Sequence, residues 1–300
     1  MKKDSQRGAD TSIVDLSGAW MNPSVLVGLI GAGIQASRTP SLHEREGAHQ
    51  GLRYIYKLID LEVLGLDAGA LPEILTAAER FGFAGLNITH PCKQAIIPLL
   101  DELSPDAAAL GAVNTVVLKN GRRMGHNTDW WGFSESFGRE LFDARRDRVV
   151  QFGAGGAGAA VAYALLRLGT GQVIIIDTDQ ARAENLAATL CERFGQNRAS
   201  PGSSPADALA VADGIVNTTP LGMAKYPGMA FPADLLNSEL WVADIVYFPM
   251  ETELLRQARA RGCRTMSGGG MAVFQAVGAF RLFTGLEPDV TRMLRHFSEM

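Results

Sequence analysis

The feature that most constrains this 300-residue chain lies at its middle, in the segment Val149-Val150-Gln151-Phe152-Gly153-Ala154-Gly155-Gly156-Ala157-Gly158. An apolar run of buried-strand type enters a G-x-G-x-x-G turn, and a run of small and apolar residues suited to a helix leaves it through Leu168. Each glycine has a physical task in such a turn. Gly153 permits the tight bend, Gly155 offers no Cβ where backbone must approach a pyrophosphate, and Gly158 lets the helix lie close on the strand. The start of that helix presents free N–H groups and partial positive charge to phosphates. This predicts a strand–turn–helix unit of an open parallel sheet, with Gly153, Ala154, Gly155, Gly156, Ala157 and Gly158 cradling a dinucleotide.

A glycine pattern alone is a weak signal, and its context strengthens it. A second apolar strand, Gln172 to Ile176, ends in Asp177, which lies 19 positions beyond Gly158, close to the ~20 expected of the acid that holds the ribose. A carboxylate there accepts hydrogen bonds from the ribose hydroxyls of NAD and repels the 2′-phosphate of NADP. Thr178 and Asp179 follow, with no Lys or Arg immediately after Asp177. The pattern therefore predicts NAD in preference to NADP. Asp177 could instead cap a helix over Gln180 to Leu190, a role open equally to Asp179.

The remainder of the chain has the texture of an α/β protein. Strand-like and helix-like runs alternate: Val25 to Gly31, Ser41 to Gln50, Arg53 to Asp60, Leu71 to Phe81, and Phe83 to Thr89. Ser104-Pro105 reads as an N-cap and first-turn pair before Asp106 to Leu110. Asn120-Gly121 reads as a hairpin turn between Val113 to Leu118 and Arg123 to His126. A helix over Asp129 to Phe142 and a charged stretch, Asp143 to Arg148, precede the glycine turn. The segment Ala199 to Pro205 reads as a surface loop. The second α/β series ends around Cys263 to Met266, after which Gly268, Gly269 and Gly270 introduce a helix-like run from Met271 to Phe283. Residue patterning leaves open which domain that last run joins.

Bulk properties exclude several classes. A net charge of -4, with Lys and Arg scattered, gives no footprint for nucleic acid. The longest apolar stretch, around Val25 to Ile34, falls well short of the roughly 18 residues a spanning helix needs. Lys2 and Lys3 are followed by Asp4, Gln6, Arg7 and Asp10 without an apolar h-region, so residues 1–23 read as a flexible tail and not a secretory signal. The three cysteines, Cys92, Cys191 and Cys263, lack metal-ligand or disulfide-framework spacing; no metal site and a cytoplasmic location are expected.

A polar cluster, Asn87-Ile88-Thr89-His90-Pro91-Cys92-Lys93, falls at the end of a strand, where α/β folds expose functional groups. Alone, Lys93, opening the amphipathic run Gln94 to Leu100, reads as a solvated surface lysine. His43 and His90 read more readily as satisfied polar residues than as proton carriers, and Trp130-Trp131 as a pair packing a helix between domains. Other segments in this chain carry a resemblance. Ser37-Arg38-Thr39-Pro40 is similar to an S-x-S/T-P substrate loop, Asn87 to Lys93 to N-x-T-x-P-x-K, and Gly111 to Thr115 to G-A-x-N-T. Gly125 to Gly132 is similar to G-x-N-T-D-x-x-G, Asn217 to Met223 to N-x-T-P-x-G-M, and Asp244 to Leu255 to D-x-x-Y-x-P-x-x-T-x-L-L. In this order, from Gly31 to about Leu286, they resemble the shikimate/quinate dehydrogenase family. Thr39, the His90-Pro91-Cys92-Lys93-Gln94 run and Asp177 resemble its NAD-dependent quinate/shikimate branch, while Ser267 stands where relatives often have Asp.

The resemblance implies two domains. Residues 24–128 would bind substrate, completed by returning C-terminal helices over 268–300, and residues 129–267 would form a Rossmann-type, doubly wound NAD-binding domain. It implies Lys93 as catalytic acid/base and Asp129 as its charged partner. Ser37, Thr39, Thr89, Asn114 and Gln275 would hold substrate hydroxyls and carboxylate, with Tyr247 near the carboxylate. Asn217, Thr218, Thr219 and Met223 would border the nicotinamide, and Gly270 and Met271 would close the ring pocket. The implied activity is hydride transfer between NAD and a small cyclitol carboxylate, quinate or shikimate. A related acid such as aminoshikimate, or a non-catalytic regulator binding the same ligands, is the alternative. A monomer or homodimer is expected.

Overall fold

The computed structural model describes residues 24–300, and the expected tail over residues 1–23 lies outside them. The first half runs β1 (Ser24–Gly31), α1 (Thr39–His49), β2 (Arg53–Asp60), α2 (Leu61–Leu64), α3 (Leu71–Arg80), β3 (Gly85–Ile88), α4 (Cys92–Ala95), β4 (Glu102–Leu103), α5 (Pro105–Leu110), β5 (Thr115–Lys119) and β6 (Arg122–His126). Helix α6 (Asp129–Glu140) leads into β7 (Arg148–Phe152), α7 (Gly156–Arg167), β8 (Gln172–Ile176), α8 (Gln180–Phe194), β9 (Ala199–Pro201) and α9 (Pro205–Leu209). The chain ends with β10 (Gly214–Asn217), β11 (Trp241–Asp244), α10 (Glu253–Ala260), β12 (Arg264–Met266), α11 (Gly268–Thr284) and α12 (Val290–Ser298).

Two six-stranded sheets result. The first is mixed, in the order β2-β1-β3-β5-β6-β4, and the second is wholly parallel, in the order β12-β11-β10-β7-β8-β9. The second order is that of a doubly wound fold, whose switch point falls between β7 and β10 and opens a ligand crevice beyond their carboxyl ends. The Asn120-Gly121 turn places both central residues at positive φ, 54° and 71°, the conformation that a tight two-residue hairpin requires. Ser104 caps α5 by accepting from Ala107 N–H.

Two expectations are corrected. Ala199–Pro201 is an edge strand paired with β8, and Pro205 opens α9, capped by Ser204; three residues ending in proline are too short to display alternation, and only an edge tolerates the missing donor. The three glycines after Ser267 are the first turn of α11 itself. A Cβ at Gly268 would stand 2.2 Å from the Ile245 carbonyl oxygen and one at Gly270 2.1 Å from Ser136 Oγ, so close packing overrides poor helix propensity.

Helix α11 packs on the first sheet. Ala279, Phe280 and Phe283 join Val27, Tyr54 and Tyr56, while Val273, Ala276 and Val277 meet Leu42 of α1 and Met293 and Phe297 of α12. Trp130 sits edge-on to Tyr163 of α7, and Trp131 edge-on to Phe274 of α11, so the pair wedges α6 between the halves. Among the described residues no helix is long and apolar enough to cross a membrane.

Candidate active site

A cleft of about 500 Å³ runs between the two sheets, with Ser37, Thr39, Thr89, Lys93, Asn114, Asp129 and Gln275 on one wall. Ala157, Thr218, Thr219, Met223, Tyr247 and Met271 line the other. Lys93 and Asp129, 36 positions apart, meet there: Lys93 Nζ donates to Asp129 Oδ2 at 2.6 Å. Their side chains are only 20% and 11% exposed, which sets this pair apart from solvent-screened surface ion pairs.

Each partner is positioned by local structure. Lys93 lies in α4 just beyond β3, where Cys92 N–H closes a turn onto the Thr89 carbonyl. Asp129 opens α6, its N–H donating to Asn127 Oδ1 at 3.0 Å. The second Asp129 oxygen accepts from Asn114 Nδ2 at 2.9 Å, and the same amide donates to Thr128 Oγ1 at 2.9 Å. The chain of bonds continues inward. Thr115 hydroxyl donates to Asn114 Oδ1, Asn87 amide to Thr115 Oγ1, and Tyr56 hydroxyl to Asn87 Oδ1 at 2.7 Å. This buried, fully donated series orients the Asn114 amide and through it the carboxylate. Both amide hydrogens of Asn114 thus face Thr128 and Asp129, so its side chain holds Asp129 while also lining the cleft.

Desolvation pushes the Tyr247 phenol above its usual range; Arg38 pulls it back and Asp129 adds to the rise. Burial pushes His43 down to about 3, and its Nδ1 pairs with Tyr54 hydroxyl beneath the sheet, away from the cleft lining. Gln275 Nε2 donates to the Ala272 carbonyl within α11.

The glycine turn is built from backbone. Gly153 takes φ 102°; a Cβ on Gly158 would stand 2.4 Å from the Gly153 carbonyl oxygen, whereas one on Gly155 meets nothing within 4 Å. That open cradle, at the N-terminus of α7 and the sheet's switch point, fits a dinucleotide pyrophosphate. Gln151, which sequence reading passed over, donates from its amide to the carbonyls of both Gly153 and Gly158. Across the switch point Thr218 hydroxyl lies within hydrogen-bond distance of the Phe152 and Gly153 carbonyls.

Asp177 receives Ala154 N–H at 2.7 Å and Asp179 N–H at 2.9 Å, while Asp179 is the residue that caps α8. Asn217 stands behind the cleft, bonding Asp244, Leu221 and Thr219 to shape the turn that carries Thr218 and Thr219. Gly270 faces Ser136 of α6 and not the cleft, and Met271 reaches the lining alone. Among the described residues no group of three His, Cys, Asp or Glu side chains could hold a metal ion.

Fold and site together define a two-part α/β oxidoreductase. The family model described as shikimate dehydrogenase substrate binding domain matches residues 29–116. A shikimate dehydrogenase (NADP+) of Streptomyces avermitilis is 60% identical over 92% of this chain and 96% of its own. A quinate/shikimate dehydrogenase (NAD+) of Corynebacterium efficiens is 51% identical over 91% of this chain and 98% of its own. The solved quinate dehydrogenase of Corynebacterium glutamicum, in complex with NAD, superposes with a TM-score of 0.88 at 49% identity, over 93% of this chain and 100% of that one. The chain belongs to the shikimate/quinate dehydrogenase family of NAD(P)-dependent oxidoreductases.

Proposed function

We propose that this chain interconverts quinate or shikimate with the corresponding 3-dehydro acid, using NAD in preference to NADP and Lys93 with Asp129 as its acid/base pair. The observation carrying this reading is the 2.6 Å Lys93–Asp129 contact in a cleft shared with the glycine-turn half. A Cβ on Gly156 would stand 3.9 Å from Lys93 Cδ, so the lysine stem lies beside the proposed cofactor cradle.

Oxidation of a secondary alcohol requires a hydride acceptor beside the carbon and a base beside the hydroxyl. Bound NAD would supply the acceptor, held by the Gly153–Gly158 turn, Asp177, Thr218, Thr219, Met223 and Met271. Lys93 in its amine form takes the hydroxyl proton; in the reverse direction its ammonium polarises the ketone and returns the proton. Asp129, oriented by Asn114, fixes the amine and balances its charge. Ser37, Thr39, Thr89, Tyr247 and Gln275 hold the ring substituents.

The NAD preference rests on Asp177 and on its neighbourhood: the nearby cation Arg182 pairs with Asp179 at 3.3 Å. The odd number and the spacing of Cys92, Cys191 and Cys263 suit a reducing, cytoplasmic compartment. Following absorbance at 340 nm with each acid and each nicotinamide tests the reading, which expects turnover faster with NAD. Asp177→Asn is expected to narrow the NAD/NADP ratio of kcat/KM. An unchanged ratio removes Asp177 from this role, and saturable binding without turnover favours a non-catalytic regulator.

A further inference from the structure

The cleft holds a cation to which the proposed reaction gives no task. Among the described residues lining it, Arg38, Lys93 and Asp129 alone carry formal charge. Lys93 and Asp129 balance each other, leaving one net positive charge in the lining, which matches a monoanionic ligand.

Arg38 meets no carboxylate among the described residues. Its guanidinium lies 5.4 Å from the centroid of the Phe248 ring and 5.6 Å from that of Phe297. Aromatic faces of this kind steady a guanidinium while leaving its in-plane N–H donors available. Arg38 also occupies the N-cap position of α1, between Ser37 and Thr39, and no acidic residue stands in that helix's first turn. The helix's partial positive charge therefore adds to that of the side chain. Tyr247 lines the same cleft as Arg38 and Asp129, and its phenol feels both charges, the cation lowering and the carboxylate raising it.

We infer that Arg38, steadied by Phe248 and Phe297, is the counter-ion that receives the substrate's carboxylate beside Ser37 and Thr39, an inference that rests on the proposed reading of the substrate as a ring hydroxy acid. The planar fork of a guanidinium matches a carboxylate with two parallel hydrogen bonds, which a hydroxyl cannot supply. The carboxylate is unchanged by the chemistry, so Arg38 acts equally on ground and transition states. Its signature is a change in KM and not in kcat.

The test compares the full-length wild type with Arg38→Gln and Arg38→Lys, using quinate and its uncharged methyl ester as probes. Binding is read by calorimetry and turnover at 340 nm. Arg38→Gln is expected to weaken quinate binding and raise its KM roughly 10- to 100-fold, with kcat little changed. The ester should bind weakly and alike to both proteins. Arg38→Lys, which keeps charge but loses the fork, should fall between. Unaltered NAD affinity in the variants shows that the cleft is intact. Wild-type quinate affinity in Arg38→Gln, or an equal loss for acid and ester, overturns the inference. Arg38-dependent binding of quinate without turnover keeps it and removes the proposed activity. A wild-type protein that binds neither quinate nor shikimate overturns both.

Discussion

On the first sheet's side of the cleft, Lys93, Asp129, Asn114 and Thr128 are held by side-chain hydrogen bonds of 2.6 to 2.9 Å. On the second sheet's side the decisive contacts converge on backbone: Gly153 at positive φ, Gly158 pressed on the Gly153 carbonyl, the Thr218 hydroxyl bonded to that carbonyl across the switch point. One wall is made of side-chain chemistry that a local substitution can remove while the fold survives. The other is made largely of main chain, where a methyl group on Gly153 or Gly158 must displace the structure. A second contrast lies in two buried carboxylates. Glu46 of α1 is fully buried and bonded twice to Arg292 of α12, whereas Asp244 at the end of β11 has the neutral donors Asn217, Val246 N–H and Thr252. Desolvation raises both, but at Glu46 the bonds from Arg292, Gln50 and Asp289 N–H outweigh it and the group ends lowered, while Asp244 stays raised. Burial alone does not set the direction; the cation does.

The largest effect expected is at that cation. Arg292→Ala leaves Glu46 buried without its charge partner and should cost about 3–5 kcal/mol of stability, read by urea unfolding. The pH dependence distinguishes the two carboxylates. Because Glu46 is lowered in the folded state, its contribution is present above the ordinary glutamate range and is lost as pH falls through the folded value. Asp244 has the opposite sign, its contribution being present at low pH and lost as pH rises through its elevated folded value. Glu46→Gln should therefore flatten the acid limb of the stability curve, and an unchanged limb would contradict the contrast.

Within the cleft, Asp129→Asn removes one charged hydrogen bond, worth about 1.5–3 kcal/mol, and should lower kcat about 10- to 150-fold with little change in NAD affinity. Gly158→Ala should do the reverse. It introduces a Cβ 2.4 Å from the Gly153 carbonyl oxygen, costing about 1–3 kcal/mol in stability and weakening NAD binding in a fluorescence titration. If Gly158→Ala bound NAD normally and Asp129→Asn did not, the division of labour between the walls would be reversed.

What the amino-acid order revealed follows the same division. The glycine turn was legible because its pattern is local: Gly153, Gly155 and Gly158 fall at fixed spacing between a strand and a helix, although Thr218, distant in the chain, also presses on Gly153 and Gly158. The Asn120-Gly121 hairpin and the Ser104 cap were legible for the same reason. The meeting of Lys93 with Asp129 was not, since it depends on β3, β5 and β6 lying side by side, and only the family resemblance supplied it. The inward chain from Asn114 to Tyr56 gave no signal, because four polar residues scattered over β2, β3 and the entry to and first residue of β5 become a network only when the strands pair. Gly268 to Gly270 misled because propensity argues against a helix, whereas the contacts that demand glycine come from Ile245, Met250 and Ser136, distant in the chain. Arg38 lay inside a recognised motif yet carried no visible role, since its partners Phe248 and Phe297 lie more than 200 positions away.

The central claim is that the Lys93 amine moves the proton while the second half holds the hydride acceptor. Single-turnover formation of NADH by Lys93→Ala, saturated with NAD and quinate, tests it most directly. The expected result is retained binding of both ligands with hydride transfer slowed about 10²- to 10⁴-fold. Hydride transfer at the wild-type rate would contradict it.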